Sequence, residues 1–208
     1  MKPINLVCST LATLGMVLGA GPALANQVPM NDGQILGLVA TANDAEVGTG
    51  KVAAQKGQKS EVKQFGALMV VEHRANNTKI MALELKTKIK RAESDSSKEL
   101  KKNADNMINN LKSAKDAEFD RTYIDGQVKL HQELLNALNN SLIPQAQNSD
   151  IKNFLMDLRG TVDSHLKKAQ KLQADLGTQP SPSPSPSPSP SPSPSPSPSP
   201  SPSPSPTP

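Results

Sequence analysis

The chain has 208 residues and a formal net charge of +4 at pH 7, and aromatic residues make up only 2% of it. So few aromatic rings and so small a charge argue against nucleic-acid binding through stacked bases. No stretch after residue 25 approaches the roughly 20 consecutive apolar residues of a membrane-spanning helix. We therefore predict neither a nucleic-acid partner nor an integral membrane span.

Residues 1–25 have the pattern of a secretory signal peptide. Lys2 gives a positive start, residues 4–18 are largely apolar, and the small residues Ala23 and Ala25 precede the predicted cleavage point. The single cysteine, Cys8, lies in this segment, so the exported domain would contain neither a disulfide nor a thiolate ligand. We predict export to the periplasm, the outer envelope or the extracellular space.

Residues 180–208 form a low-complexity tail in which Ser and Pro alternate and which ends in Thr-Pro. Such a segment cannot build a core, so it predicts a disordered, extended spacer of roughly 90 Å at about 3.1 Å per residue. The tail either contacts the cell wall or another part of the envelope, or is a repeat expansion without a selected role. The folded domain is then residues 26–179, which is long enough for one hydrophobic core.

Within this domain, apolar residues recur with a period near 3.6, and no strand-like alternation of any length occurs. The pattern predicts a helix over residues 32–56, with a capping box of Asn31 and Gln34, and a second helix from Ser60 to about residue 90. It predicts a third helix from about 115 to 143, ended by Pro144, and a fourth from about 150 to 177, capped by Ser149 or Asp150. A shorter amphipathic piece, opened by a capping box of Ser96 and Glu99, lies between the second and third helices. We predict an all-α, ferritin-like four-helix bundle with this short extra helix. The long connection favours parallel second and third helices, and an up-down-up-down order is the alternative.

Four polar residues occupy positions in the inward-facing helix stripes that are otherwise apolar: Glu46, His73, His131 and His165. Each comes from a different predicted helix and lies within about three residues of its midpoint. A residue near the middle of a helix keeps its height in the bundle whichever way the helix points. The four side chains are therefore predicted to meet in one layer of the core.

A transition-metal site is the first interpretation of this layer. A buried carboxylate needs an opposite charge or a metal ion, and three imidazoles with one carboxylate suit Zn, Fe, Mn or Cu. We predict that the four residues are ligands, and we assign no catalytic residue. Gln127 and Thr161, each one turn before a histidine, are placed to orient the rings, and Glu72 could replace a ligand if the second helix is rotated.

A hydrogen-bonded Glu-His network without metal, which fixes the register of the helices, is the second interpretation. The protein would then be a non-catalytic structural or protein-interaction module of the cell envelope. The first interpretation instead predicts a metal-binding bundle with an envelope or stress-related role, and it leaves an enzymatic activity open.

Three segments of the chain, FGALMVVEHRANN, FDRTYIDGQVKLHQELL and DLRGTVDSHLKKAQKL, together resemble the exported bacterial domain-of-unknown-function 4142 family. The resemblance covers nearly all of residues 29–176, and His73, His131 and His165 match the histidine positions of that family. It implies a bundle of the ferritin-like superfamily in the periplasm or outer envelope, without an established activity.

The resemblance does not extend to the di-iron chemistry of ferritins themselves. Di-iron bundles carry Glu-x-x-His on two helices, whereas the residues three before the histidines of this chain are Val70, Val128 and Val162. A ferroxidase or oxygen-activating activity is therefore not predicted.

Overall fold

The structure is a computed structural model that describes residues 29–177. The predicted signal peptide (residues 1–25) and the predicted Ser-Pro tail (residues 180–208) lie outside the described residues. The described residues form helices connected by short loops and contain no strand, which confirms the all-α prediction. The helices are α1 (Asp32–Lys56), α2 (Ser60–Thr87), α3 (Asp95–Ser113), α4 (Asp116–Ala137), a π-helical turn (Leu138–Leu142), α5 (Ile143–Gln145) and α6 (Ser149–Gly177).

Hydrogen bonds at the two ends of the bundle define the direction of its helices. Asp120, at the start of α4, accepts from the backbone N–H groups of Gln58 and Lys59 just before α2, both at 2.8 Å. At the opposite end, Asp32 of α1 accepts from the backbone N–H groups that precede α6. Helices α2 and α4 therefore start at the same end and run parallel, so the long connection crosses the length of the bundle as predicted.

Helix α3 provides this crossover and packs along α1. A Cβ added to Gly48 of α1 would stand 2.6 Å from the Ile108 side chain of α3, closer than a real Cβ tolerates. Helices α1 and α2 also approach closely, because a Cβ on Gly66 would lie 2.8 Å from the carbonyl oxygen of Gly50. Because Gly50 and Gly66 have no side chains, α1 and α2 pack closely, and polar side chains of the two helices hydrogen-bond to one another.

Two clusters of buried apolar side chains fill the bundle, one towards each end. The cluster near the start of α1 includes Ile35, Leu138, Leu142, Ile151 and Leu155. The cluster near the start of α2 includes Val62, Phe65, Phe119, Ile124 and Ala169. Along every long helix the predicted polar position falls between members of the two clusters, so a polar layer divides the core.

Several helix ends differ from the sequence predictions. The capping box of α1, between Asn31 and Gln34, is present as expected, but that of α3 is formed by Ser94 and Ser97 rather than by Ser96 and Glu99. Asn148, and not a residue of α6 itself, accepts from the first N–H groups of α6. At the starts of α3 and α6 a neighbouring short polar side chain is the hydrogen-bond acceptor. The helical period alone does not determine which of several adjacent polar residues takes this role.

The prediction that Pro144 ends the third helix is wrong, because the helix continues to Gln145. The backbone passes from α4 through the π-helical turn and continues into α5, where Pro144 occupies the first turn. The π-helical turn directly before Pro144 replaces the α-helical geometry in which its ring would clash with the carbonyl group four residues earlier. None of the described helices has the length and apolar character needed to cross a membrane.

The Asp120 contacts lead to a testable prediction about stability. Asp120→Ala removes the carboxylate that holds two N–H groups at the start of α2, and we expect it to lower the free energy of unfolding by about 1–2 kcal/mol. Asp116→Ala is the matched control, because it removes an exposed acidic residue one turn before Asp120 on α4. Urea unfolding of both variants checks the prediction, and equal losses would contradict it.

Candidate metal centre

The polar layer consists of side chains that are almost completely buried. Glu46 is 2% exposed, and His73, His131 and His165 are each 1% exposed. They lie on α1, α2, α4 and α6, one on each long helix. All four predicted positions are therefore buried, with one residue on each long helix.

The three histidines form the closest group in this layer. One ring nitrogen of each lies within 4.8 Å of a ring nitrogen of the other two, and no other described Cys, Asp or Glu belongs to this group. The ring centroids are 5.4 to 6.0 Å apart and the rings are inclined to one another. This is a compact arrangement of three imidazoles inside an otherwise apolar core.

His73 is oriented by Asn43 of α1, a residue outside the predicted polar layer. Its Nδ1 lies 2.9 Å from the amide oxygen of Asn43, which is itself 2% exposed. An amide oxygen can only accept, so Nδ1 carries the hydrogen and Nε2 keeps its lone pair. Burial, with the neighbouring His131 and His165, lowers the pKa of His73 to about 3. The ring is therefore neutral at physiological pH.

His131 is oriented by the backbone of its own helix. Its Nδ1 donates to the carbonyl oxygen of Gln127, one turn earlier, at 3.0 Å. The side chain of Gln127 donates to Oε2 of Glu46 at 2.9 Å. The predicted position of Gln127 behind His131 is thus present, although its backbone rather than its side chain contacts the ring.

His165 is oriented by Glu72 of α2. Its Nε2 lies 2.7 Å from Oε2 of Glu72, whose side chain is 36% exposed. Burial lowers the pKa of His165, while the hydrogen bond to Glu72 acts in the opposite direction. A neutral ring that donates from Nε2 leaves the lone pair on Nδ1. Glu72 therefore lies behind the ring as an orienting carboxylate, and Thr161, predicted for that role, is not the hydrogen-bond partner of the ring.

The remaining nitrogen of each ring has no hydrogen-bond partner among the described residues. These atoms are Nε2 of His73, Nε2 of His131 and Nδ1 of His165, and all three are buried. Buried polar atoms are nearly always hydrogen-bonded or bound to an ion. Three partnerless imidazole nitrogens from separate helices are the donor set of a tetrahedral zinc-type ion, with the fourth position open.

The distances between ring nitrogens of the three histidines are compatible with such an ion. Zinc–nitrogen bonds of about 2.0–2.1 Å place two tetrahedral ligands roughly 3.4 Å apart. One ring nitrogen of each histidine lies within 4.8 Å of a ring nitrogen of the other two, so small changes in side-chain torsion would bring three nitrogens to bonding distance from one cation.

Glu46 lies beside the histidine group rather than inside it. Its Oε1 is 4.0 Å from Nδ1 of His131, the nitrogen on the outer side of that ring, and has no hydrogen-bond partner among the described residues. Burial raises the pKa of Glu46, against the opposing effects of His131 and Gln127. The buried Tyr123 hydroxyl also lacks a partner among residues 29–177, and burial together with the charge of Glu46 raises its pKa. The predicted ligand role of Glu46 therefore stays a prediction, with the carboxylate placed behind His131.

Two residues of this layer had only weak signals in the sequence. Asn43 lies three residues before Glu46 and next to the apolar stripe of α1, where an asparagine between Ala42 and Asp44 resembles a surface position. Tyr123 precedes Gln127 and His131 at intervals of four residues, a spacing that places all three on one helix face. That spacing could have identified Tyr123.

The depressed pKa of His73 predicts a pH dependence of stability in the metal-free protein. The unfolded chain, with the ordinary pKa of 6.5, takes up a proton that the folded chain does not take up until about pH 3. The contribution of neutral His73 to the free energy of unfolding is fully present above pH 6.5. It falls by up to about 1.4 kcal/mol per pH unit as the pH drops towards 3. Glu46, whose pKa is raised, acts in the opposite direction.

The pH dependence of the free energy of unfolding is compared between the wild type and His73→Gln. Both proteins contain Glu46, so the difference between them gives the contribution of His73. Urea unfolding at several pH values between 7 and 3.5, with a chelator present, should show a steeper acid loss in the wild type. Parallel pH profiles for the two proteins would refute the assignment of a neutral, buried ring.

Comparison with known protein families gives a match over most of the chain. A family model described as "Domain of unknown function (DUF4142)" matches residues 19–172, a segment that includes Glu46 and all three histidines. No curated protein and no solved structure matches the chain.

Proposed function

The chain belongs to the DUF4142 family of domains of unknown function, and from its own residues we propose that it binds one transition-metal cation between His73, His131 and His165. The observation that carries the proposal is the set of three buried ring nitrogens without hydrogen-bond partners, one from each histidine. Each ring is held from behind by a different group, an amide, a backbone carbonyl or a carboxylate. Such contacts behind the rings are what metal-bound histidines usually have.

A network held only by hydrogen bonds explains the layer less well. The acceptors behind His73, His131 and His165 each require a hydrogen on the outer nitrogen, so a neutral ring turns a lone pair inward. Three lone pairs cannot hydrogen-bond to one another, because none of them supplies a hydrogen. A cation satisfies all three at once.

The charges around the rings favour a divalent cation. Glu72 is hydrogen-bonded to His165, and Glu46 lies 4.0 Å from His131. Two carboxylates balance two positive charges, which lowers the cost of placing a cation in an apolar interior. Imidazole nitrogen is a ligand for Zn, Cu, Fe and Mn and a poor one for Mg or Ca. The three ligands leave one coordination position for water or another small molecule.

The setting of this activity is proposed to be outside the cytoplasm. The signal-peptide pattern of residues 1–25 supports export, and the Ser-Pro pattern of residues 180–208 supports a spacer in contact with the cell envelope. A metal-binding bundle in that location would serve metal handling or protection of the envelope under stress.

Titration of the metal-free full chain with Co(II), followed by its visible absorption, tests the proposal. We expect one equivalent to bind with the intense absorption of a tetrahedral ion, and Zn(II) to displace it. His131→Ala should abolish the signal, whereas Mg(II) should not compete. The absence of stoichiometric Co(II) or Zn(II) binding would refute the proposal and favour the structural module.

A further inference from the structure

A row of hydrogen-bonded side chains connects His73 to the protein surface across the α1–α2 interface. Asn43 accepts from His73 Nδ1 through its oxygen and donates through its Nδ2 to Oδ1 of Asn77 at 2.9 Å. Asn77 in turn donates through its Nδ2 to Oδ1 of Asp44 at 2.7 Å. Asp44 is exposed, Asn77 is half-buried and Asn43 is buried. The row therefore runs from solvent to the metal centre in three hydrogen bonds.

The chemistry of these groups gives the row one direction. An ionised carboxylate only accepts hydrogen bonds, so Asn77 must turn its NH2 group to Asp44 and its oxygen to Asn43. Asn43 must then turn its own NH2 group to Asn77 and its oxygen to His73. The imidazole must place its hydrogen on Nδ1, which leaves the lone pair on Nε2. Without the carboxylate, both amides could rotate by half a turn and reverse every donor and acceptor.

We infer that Asp44 is a positioning residue that selects the metal-binding tautomer of His73 through Asn77 and Asn43. The inference rests on the proposed metal site, because the selected lone pair on Nε2 is the one that would bind the cation. The other two rings do not need such a row. His131 donates to a backbone carbonyl, and His165 donates directly to the Glu72 carboxylate. Both of these groups can only accept, so the position of the hydrogen on each ring is already fixed.

Asp44→Asn is the variant that tests this inference. Asparagine keeps the shape of the side chain, but it can donate as well as accept hydrogen bonds and so no longer fixes the direction of the row. Asp157→Asn is the matched control, since it removes an exposed carboxylate from α6 that lies outside the row. The double variant Asp44→Asn/Asn77→Asp moves the carboxylate one step inward. It should restore the direction of the row, because the new carboxylate again accepts from Asn43.

Two measurements on the full chain give independent results. Long-range 1H–15N correlation spectra of the metal-free protein report the tautomer of each histidine, and competition with a chromophoric chelator reports the Zn(II) affinity. We expect His73 to be the Nδ1–H tautomer in the wild type and in Asp157→Asn. In Asp44→Asn the Nε2–H tautomer should become populated, with a Zn(II) affinity about 10-fold lower. The double variant should recover both.

An unchanged His73 tautomer in Asp44→Asn, with a Zn(II) affinity equal to that of Asp157→Asn, would overturn the inference. Failure of the proposed function has a different signature. If the wild type does not bind Zn(II), metal binding is refuted, and the tautomer spectra still decide whether Asp44 sets the polarity of the row. Thermal unfolding of each variant verifies that the compared proteins are folded.

Discussion

Saturation with zinc is expected to raise the free energy of unfolding of this protein by about 4 kcal/mol when the free metal is about 1,000 times its Kd. Only the folded chain brings the nitrogens of His73, His131 and His165 within 4.8 Å of one another. The metal therefore stabilises the native state and not the unfolded chain. For a domain of this size the shift in Tm is about 8–16 °C.

Thermal unfolding followed by circular dichroism, with zinc, with magnesium or with a chelator, measures this effect. Magnesium is the control cation, because it prefers oxygen ligands and should leave Tm unchanged. His165→Ala should remove the zinc-dependent part of the shift while the protein remains folded. A zinc effect of equal size in that variant would place the bound metal elsewhere on the chain.

The same measurement tests whether the three histidines act as one unit. In the zinc-saturated protein, a second alanine substitution among His73, His131 and His165 should cost much less than it does alone. The first substitution already abolishes metal binding, so the losses are strongly non-additive. Additive losses would show that the rings contribute to stability independently.

Glu46→Gln is expected to stabilise the metal-free protein and to weaken metal binding. The ionised carboxylate has one hydrogen bond, from Gln127, and its other oxygen lacks a partner among the described residues. Gln has nearly the same shape and carries no charge, so it avoids the cost of burying an anion. We expect a gain of about 1 kcal/mol or more at pH 8 and a metal affinity about 10-fold lower.

The pH dependence of this gain follows from the raised pKa of Glu46. Below its ordinary value of 4.5 the carboxyl group is protonated in the folded and unfolded chains, so the variant has no advantage. As the pH rises through the folded pKa, the wild type loses stability and the gain appears. Urea unfolding from pH 4 to 8 measures it, with the exposed Glu99→Gln as control. If Glu46→Gln were less stable than the wild type at pH 8, the contacts of the ionised Glu46 carboxylate would already offset the cost of its burial without a metal ion.

The helical pattern of the sequence was sufficient to predict the architecture and the polar layer. An apolar period of 3.6 identifies the inward face of each helix, and the midpoint positions of His73, His131 and His165 give them a common height. The length of the connection favoured parallel second and third helices, which the contacts of Asp120 with Gln58 and Lys59 confirm. These features depend on the spacing of residues along rigid helices, which sequence determines well.

The contacts behind the histidines could not be predicted in the same way. Whether Glu46 lies inside the ring group or beside it depends on helix rotation and side-chain torsions that shift an oxygen by a few ångströms. The choice of Glu72 rather than Thr161 as the partner of His165 depends on how closely α2 and α6 pack. Asn43 lies one position from the apolar stripe, and only the close approach of α1 and α2 brings it to His73.

Anomalous X-ray diffraction at the zinc edge, from crystals of the zinc-soaked full chain, tests the central claim most directly. We expect one strong peak in the middle of the bundle, with Nε2 of His73, Nε2 of His131 and Nδ1 of His165 about 2.0–2.1 Å from it. A layer without a peak at saturating zinc, or with the three ring nitrogens turned away from one another, would contradict it.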